Sequence, residues 1–428
     1  MNPPILNLGF AGLGQAVQRI LVHDREIFDQ PWKIAAAAET RAEAREAFRR
    51  QFSDEVYDDI EALCASPTVD VVYVATPAEA HRAHAVMAAE AGKHVIVDKP
   101  MALTLEDCDA MIEAADRNGV HLLAGHTHGF DTPVVRMAEI VASGELGDLV
   151  SINSWNYNEF NPRPWPSAEL QSTFGPLLNQ GPHHVDIVRQ IGGGMVRSVR
   201  ATTLPDSLRG CAGGYSCYLE FESGTPAMLH YDARGLFDVA ELYGWVGEGG
   251  DMRDPGQNAL ARRSFMEMSA KHPDDLEDVL EAWKDQGRFG ASGLDPEVMA
   301  LWGYRSGANH SEHHKHFGLT VVSCDRGAVR QSPDGLFIYD ENGVHEEPLP
   351  ADIRGRAAEL RELYNAIVHG APLVHDGRWG AATLEVCLAI RTSGEERREI
   401  AMTRQVPLDR GDHRSGDSSG KRGGRWAS

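Results

Sequence analysis

The chain has 428 residues, 42% hydrophobic and 24% charged, which is typical of a globular protein and long enough for two domains with substantial cores. Its 41 lysine and arginine residues stand against 63 aspartate and glutamate residues, a net charge of −22. This balance excludes nucleic acid and anionic membrane surfaces as main partners, because both attract positive charge.

The spacing of the cysteines and the length of the apolar runs indicate the cellular compartment in which we expect the protein. Six cysteines are scattered without a CxxC pair or zinc-finger spacing, which is typical of reduced thiols. No apolar run approaches the roughly 18 residues of a membrane-spanning helix, and no export signal precedes the first strand-like segment. We expect a cytoplasmic protein without membrane contact.

The first predicted elements form a strand, a glycine-rich turn and a helix. The strand covers Ile5 to Phe10 and the helix covers Gln15 to about Phe28. Glycines at such a turn let the backbone approach a pyrophosphate, and the free amides of the helix N-terminus point toward it. The third glycine of the GxGxxG pattern is replaced by Val17. The candidate cofactor residues of this turn are Gly9, Gly12, Leu13 and Gly14.

The next predicted strand, Lys33 to Ala38, ends at Glu39. A dinucleotide-binding unit places an acid at this point, where it accepts a hydrogen bond from the ribose 2′-hydroxyl. Glu39 would repel a 2′-phosphate and so favours NAD, whereas Arg41 would favour NADP. The order of strand, glycine turn, helix, strand and acid predicts a nicotinamide dinucleotide as the cofactor.

Helices and buried strands continue to alternate up to Ala124. The predicted segments are a helix at 41–52, a strand at 69–75, a helix at 78–91, a strand at 94–97, a helix at 105–118 and a strand at 120–124. This alternation predicts a doubly wound parallel Rossmann sheet over residues 1–125. The strand ends at Gly12, at Thr76 and Pro77, and at Asp98 and Lys99 then face one crevice. Lys99 is therefore a candidate for chemistry.

The pattern changes after residue 125. Residues 126–408 are predicted to form an α+β domain with a mostly antiparallel sheet, interrupted by a polar insertion around 235–311, and residues 409–428 a disordered tail. One stretch of this domain, Asn179 to Asp186, is dense in polar groups. A helix beginning near His184 would leave His183 at its mouth, where an imidazole suits proton transfer at neutral pH.

Several of these motifs together resemble those of the Gfo/Idh/MocA oxidoreductases. They are the glycine turn, ATP at 75–77 with His81 downstream, DKP at 98–100 and GPHHVD at 181–186. Longer strings resemble the branch of phthalate dihydrodiol dehydrogenases: LLNQGPHHVDIVRQIGGG at 177–194, HFGLTVVSCDRGAVRQSPDGLFIY at 316–339 and DGRWGAATLEVCLAI at 376–390. The resemblance covers residues 5–408.

The resemblance implies specific roles. The lysine of the family's EKP motif falls on Lys99, with Asp98 in place of glutamate, and its DxGxH motif falls on residues 179–183, with Asn179 in place of aspartate. The family's members hold a nicotinamide cofactor, and by analogy we expect a homodimer or homotetramer. The implied reaction is oxidation of a secondary alcohol, in which either Lys99 or His183 takes the hydroxyl proton.

The remaining candidate residues concern the substrate. His126, His128, Arg163 and His184 are predicted to lie near it. The guanidinium of Arg163 could clamp a carboxylate, although the side chain could equally pack on Trp165 at the surface. The histidines between His310 and His316 do not have the spacing of a zinc site, so no metal is predicted.

Three functions agree with these features. The first is an NAD-dependent dehydrogenase of a carboxylated aromatic cis-dihydrodiol, with a catechol as product. The second is a sugar or polyol dehydrogenase of the same superfamily. The third is a non-redox enzyme or sensor that uses bound nicotinamide, and it is supported only by Asn179.

Overall fold

The computed structural model describes residues 3–22, 31–291, 313–350 and 355–409. The first part of the chain alternates strands and helices as predicted. Its elements are β1 (Leu6–Ala11), α1 (Gln15–Val22), β2 (Trp32–Ala38), α2 (Ala42–Gln51), β3 (Val56–Tyr57), α3 (Ile60–Ala65), β4 (Val71–Val74), α4 (Ala78–Glu90), β5 (His94–Asp98), α5 (Leu105–Asn118) and β6 (Leu122–Gly125).

These strands form a six-stranded parallel sheet in the order β3-β2-β1-β4-β5-β6. The residues of β4 are all buried, which explains its uninterrupted apolar sequence, since helices cover both faces of a parallel sheet. The strand order reverses between β1 and β4, and ligands bind at the carboxyl ends of strands at such a point. The predicted Rossmann sheet is confirmed.

The second part of the chain builds a larger sheet. Its elements are α6 (Thr132–Ser143), β7 (Leu149–Tyr157), α7 (Ser167–Ser172), α8 (Gly181–Ile191), β8 (Val196–Asp206), β9 (Cys211–Phe221), β10 (Pro226–Asp232), α9 (Gln257–Lys271), α10 (Leu276–Gln286), β11 (Leu319–Cys324), β12 (Gly327–Ser332), β13 (Gly335–Asp340), β14 (Gly343–Pro348), α11 (Gly355–His369), α12 (Gly377–Glu396) and β15 (Ile400–Ala401). The strand order is β14-β13-β12-β11-β7-β10-β9-β8-β15. Only β7 and β10 pair in parallel among these described strands, which confirms the mostly antiparallel sheet.

The C-terminal helices tie the two sheets together. Leu360 and Leu363 of α11 pack in the same core cluster as β1 and β4 of the first sheet. Asp376, just before α12, forms an isolated bridge with Leu123 of β6. The predicted domain boundaries at 125 and 408 stay predictions, and the tail from residue 410 lies outside the described residues.

One face of the large sheet leaves apolar side chains exposed. Trp155, Tyr218 and Met228 are 38%, 39% and 45% exposed on three adjacent strands. The homodimer or homotetramer stays a prediction, for which this face is the natural contact. Within the described ranges, no helix is both long and apolar enough to cross a membrane.

Candidate active site

The glycine turn after β1 lies close against the end of β4. Gly12 has a φ of +89°, and a Cβ atom there would lie 3.1 Å from the carbonyl oxygen of Ala75. Gly14 immediately precedes α1. A backbone that has no room for side chains, next to a helix N-terminus, is suited to a pyrophosphate. Gly9 lies inside β1, where a Cβ would meet Leu63, and it does not line the cavity described below.

Glu39 fixes the shape of this turn. Its carboxylate accepts hydrogen bonds from the backbone N–H of Leu13 at 2.9 Å and of Arg41 at 3.0 Å, and it pairs with the Arg41 guanidinium at 3.1 Å. Burial opposes ionisation, but these donors outweigh it and lower the pKa of Glu39. The charge of Arg41 is therefore paired within the turn.

Lys99 follows β5 and reaches across to the second domain. Its Nζ donates hydrogen bonds to the backbone oxygen of Asn179 at 3.0 Å and to the side-chain Oδ1 at 2.9 Å. Burial lowers the pKa of Lys99 below its ordinary value. Asn179 offers neutral oxygens where an aspartate would offer a charge. The replacement therefore removes a group that would have favoured the ammonium form.

The turn that carries Lys99 is braced by His81. One ring nitrogen of His81 lies 3.0 Å from the carbonyl oxygen of Pro100, and the other lies 2.8 Å from that of Thr76. Asp98 accepts the backbone N–H of Lys99 at 2.8 Å. His81 and Asp98 thus hold the backbone that presents Lys99, and both line the cavity.

His183 lies in the first turn of α8, which begins at Gly181 rather than near His184 as the sequence predicts. The ring is buried and stands edge-on to His128, with 4.8 Å between the ring centroids. Its Nδ1 has no hydrogen-bond partner among the described residues. Burial, with the neighbouring His128 and Lys99, lowers the pKa of His183 well below 6.5, so the imidazole is neutral at neutral pH.

His128 lies between two carboxylates. Its Nδ1 lies 2.7 Å from Asp131 and its Nε2 lies 3.3 Å from Glu248. Burial opposes protonation, but the two carboxylates outweigh it and raise the pKa of His128 to about 9. The site therefore combines a neutral His183 with a cationic His128 and an anionic Glu248.

A single cavity of about 1180 Å³ joins these groups. Its walls combine residues of both sheets and of the insertion. The predicted site residues on its wall are Gly12, Leu13, Gly14, Glu39, Thr76, Pro77, His81, Asp98, Lys99, His128, Arg163, Asn179 and His183. The glycine turn, Glu39 at the end of β2 and His183 all lie along this cavity, an arrangement that suits a dinucleotide with a substrate beside it. The residues present fit a nicotinamide cofactor.

Two predicted substrate residues lie outside the cavity wall. His184 points toward the large sheet, where its nitrogens lie 3.0 Å from the Tyr215 hydroxyl and 2.9 Å from the Ser154 hydroxyl. Burial lowers the pKa of His184 to about 3. His126 lies behind α8, 3.5 Å from Asp186. Both side chains therefore contact protein groups away from the cavity.

Arg163 lines the cavity but is already paired. Its guanidinium contacts the buried carboxylate of Glu159 at 2.9 Å and lies 5.9 Å from the ring centre of Phe160. The described residues contain no group of three histidine, cysteine or acidic side chains that could hold a metal. His310 and Glu312 of the predicted histidine-rich segment lie outside the described residues.

Glu248 and Arg356 are among the residues of the cavity wall that the sequence did not predict. Glu248 belongs to the insertion and contacts His128, which lies 120 positions earlier in the chain. Arg356, the second residue of α11, lies 3.8 Å from Asp98. Neither stands beside a recognisable motif, so only the tertiary structure places them at the site.

Comparison with known proteins agrees with this geometry. Residues 6–126 match the NAD-binding Rossmann fold of the Gfo/Idh/MocA oxidoreductase family, and residues 134–239 match the C-terminal domain of that family. The chain is 32% identical over 394 residues to the 1-carboxy-3-chloro-3,4-dihydroxycyclohexa-1,5-diene dehydrogenase of Comamonas testosteroni, covering 91% of this chain and 95% of that protein. A crystal structure from Bordetella bronchiseptica RB50 superposes with a TM-score of 0.81 at 31% identity, covering 93% of this chain and all of that one.

A polyol dehydrogenase also matches, over a shorter range. The chain is 28% identical over 239 residues to the myo-inositol 2-dehydrogenase of Thermotoga maritima, which is 54% of this chain and 70% of that protein. The chain therefore belongs to the Gfo/Idh/MocA family. It is an NAD(P)-dependent oxidoreductase, and the predicted enzyme class and cofactor are confirmed.

Proposed function

We propose that the protein oxidises a carboxylated aromatic cis-dihydrodiol to a catechol, with NAD as the preferred acceptor. The observation that carries this proposal is the extent of the similarity to the Comamonas testosteroni dehydrogenase, which covers 91% of one chain and 95% of the other. The inositol dehydrogenase shares only 54% of this chain, so its substrate is less directly transferable.

Nicotinamide, when bound, accepts hydride from the carbinol carbon of the substrate. Lys99 is our candidate for the base that takes the hydroxyl proton. A neutral amine has two N–H donors and one lone pair, and the two oxygens of Asn179 occupy both donors. The lone pair of Lys99 then remains for the proton. The ketone that forms then tautomerises to a catechol, and this step makes the ring aromatic.

The other polar groups of the cavity suit the second hydroxyl and the carboxylate. The neutral imidazole of His183 lines the cavity and is the candidate hydrogen-bond partner of the hydroxyl that is not oxidised. Glu248 is anionic, so it would accept a hydrogen bond from a substrate hydroxyl and repel a substrate carboxylate at its end of the cavity. Arg163 is the candidate partner of the substrate carboxylate, with Glu159 holding the guanidinium in place.

The second candidate function is a polyol dehydrogenase, which Glu248 and the inositol dehydrogenase both favour. Initial rates of NADH formation should be compared for a carboxylated cis-dihydrodiol, an unsubstituted cis-dihydrodiol and myo-inositol, each with NAD and with NADP. We expect kcat/KM for the carboxylated diol to exceed that for inositol about 100-fold, because discrimination of this size needs only one or two charged hydrogen bonds.

Two results of this comparison would count against the proposal. Turnover of myo-inositol without turnover of either diol would favour the polyol dehydrogenase. Equal rates for the two diols would remove the role of Arg163 in binding a carboxylate.

A further inference from the structure

Part of the insertion crosses from the second domain onto the first. We call residues 276–291, which comprise α10 and the chain after it, the strap. Phe289 of the strap is 1% exposed, and its ring centre lies 6.3 Å from that of Phe48 and 6.2 Å from that of Phe52. Phe48 belongs to α2, a helix that packs beside the Rossmann sheet, and Phe52 directly follows that helix. The strap is thus anchored in the core of the first domain.

The glycine after this anchor sits directly against α2. Gly290 has a φ of +81°, and a Cβ there would lie 2.6 Å from the Cα of Ala44. Because this contact is with backbone, no side chain could move aside to make room. The close fit of Gly290 and the burial of Phe289 indicate a specific docking surface.

The strap passes over the start of α1, next to the glycine turn. The side-chain amide of Gln15, the first residue of α1, donates to the backbone oxygen of Lys284 at 3.1 Å. On the other side of the cavity, Lys284 pairs with Glu169 at 2.6 Å and Glu277 accepts the backbone N–H of Ser167 at 2.8 Å. The strap therefore has contacts on both sides of the cleft.

The strap also forms part of the cavity wall. Glu281, Lys284 and Arg288 line the same cavity as Gly12 and Gly14. Lys284 is paired with Glu169 at 2.6 Å and Arg288 with Asp285 at 3.0 Å, and both cations remain part of the cavity wall. The strap thus lies beside the glycine turn and brings the side chains of Lys284 and Arg288 to the cavity that would hold the pyrophosphate.

We propose that the strap holds the bound dinucleotide against the glycine turn, so that the cofactor leaves only when the strap separates from α1 and α2. The pyrophosphate lies between the backbone of the turn and the side chains of Lys284 and Arg288. Release of the cofactor is then limited by the undocking of Phe289 and Gly290. The inference depends on NAD binding and is independent of the substrate.

The test is the dissociation rate of NADH, measured by stopped-flow fluorescence with the full chain and without substrate. Phe289→Ala removes the anchor, and Gly290→Ala wedges the strap away from α2 while leaving the aromatic cluster in place. We expect each to raise the dissociation rate at least about tenfold, which corresponds to losing a contact of modest free energy. Bound NADH should also protect the strap of the wild type from trypsin, and protect it less in both variants.

The matched control is Gly224→Ala. Gly224 also has a positive φ, +84°, but a Cβ there meets nothing within 4 Å, so the variant shares the backbone strain without the collision. It should release NADH at the wild-type rate. If Gly290→Ala, folded as judged by its circular dichroism, also releases NADH at the wild-type rate, the strap does not retain the cofactor and the proposal is wrong.

Discussion

Replacing Lys99 with methionine is expected to lower kcat/KM for the dihydrodiol about 1,000-fold, within the range that loss of a general base produces. Methionine keeps an unbranched apolar stem but cannot accept a proton. The hydrogen bonds to Asn179 also disappear, but NADH binding should change little, since those bonds join protein groups. Steady-state rates and NADH fluorescence titrations measure the two effects separately.

The pH dependence of kcat/KM distinguishes Lys99 from His183 as the base that takes the hydroxyl proton. The base must be unprotonated, so kcat/KM of the wild type should rise with pH until the pKa of Lys99 is passed, and that pKa lies below 10.5. This rise should be absent from Lys99→Met. If it persists there and disappears in His183→Asn, His183 is the base. Lys33→Ala, at an exposed lysine of β2 away from the cavity, is the control and should behave as the wild type.

Replacing Gly12 with alanine is expected to weaken NADH binding about 100-fold, the effect of losing one or two charge-assisted hydrogen bonds to the pyrophosphate. The added Cβ would lie 3.1 Å from both the Ala75 oxygen and the Thr76 methyl group, at a φ of +89° that favours glycine. The turn must open to relieve this contact, and its amides then move away from the cofactor. Isothermal calorimetry with NADH measures the change.

The control for this variant is Gly92→Ala. Gly92 follows α4 with a φ of +74°, but a Cβ there meets nothing within 4 Å. Both substitutions therefore carry backbone strain, and only Gly12→Ala crowds the glycine turn. Equal affinities of the two variants for NADH would show that the turn does not contact the pyrophosphate.

The parts of the site that the sequence predicts are those set by local structure. Gly12, Glu39 and Lys99 each stand at the end of a strand, and a parallel sheet brings such ends to one edge whatever the rest of the chain does.

The orientation of neighbouring residues was not predictable in the same way. His183 and His184 are adjacent, and successive residues of a helix point about 100° apart, so only one of them can face the cavity. Which one does depends on where α8 begins and on how it packs against Tyr215 and Ser154. These are tertiary contacts that no local pattern contains.

The insertion is a larger part of the structure that local sequence patterns could not place. The sequence predicts only a polar insertion here, yet this segment supplies Glu248 to the cavity and Phe289 to the core of the first domain. Both placements depend on contacts with residues more than a hundred positions earlier. Sequence periodicity cannot register such contacts, because they form only in the tertiary structure and leave no local pattern.

The central claim is that this cavity transfers hydride from a diol carbon to nicotinamide. A carboxylated cis-dihydrodiol that carries deuterium on both carbinol carbons tests it directly, with the cofactor and the product analysed by mass spectrometry after a single turnover. We predict one deuterium in each reduced cofactor and one catechol for each cofactor reduced. Enzyme-dependent formation of product with no deuterium in the cofactor would contradict the claim.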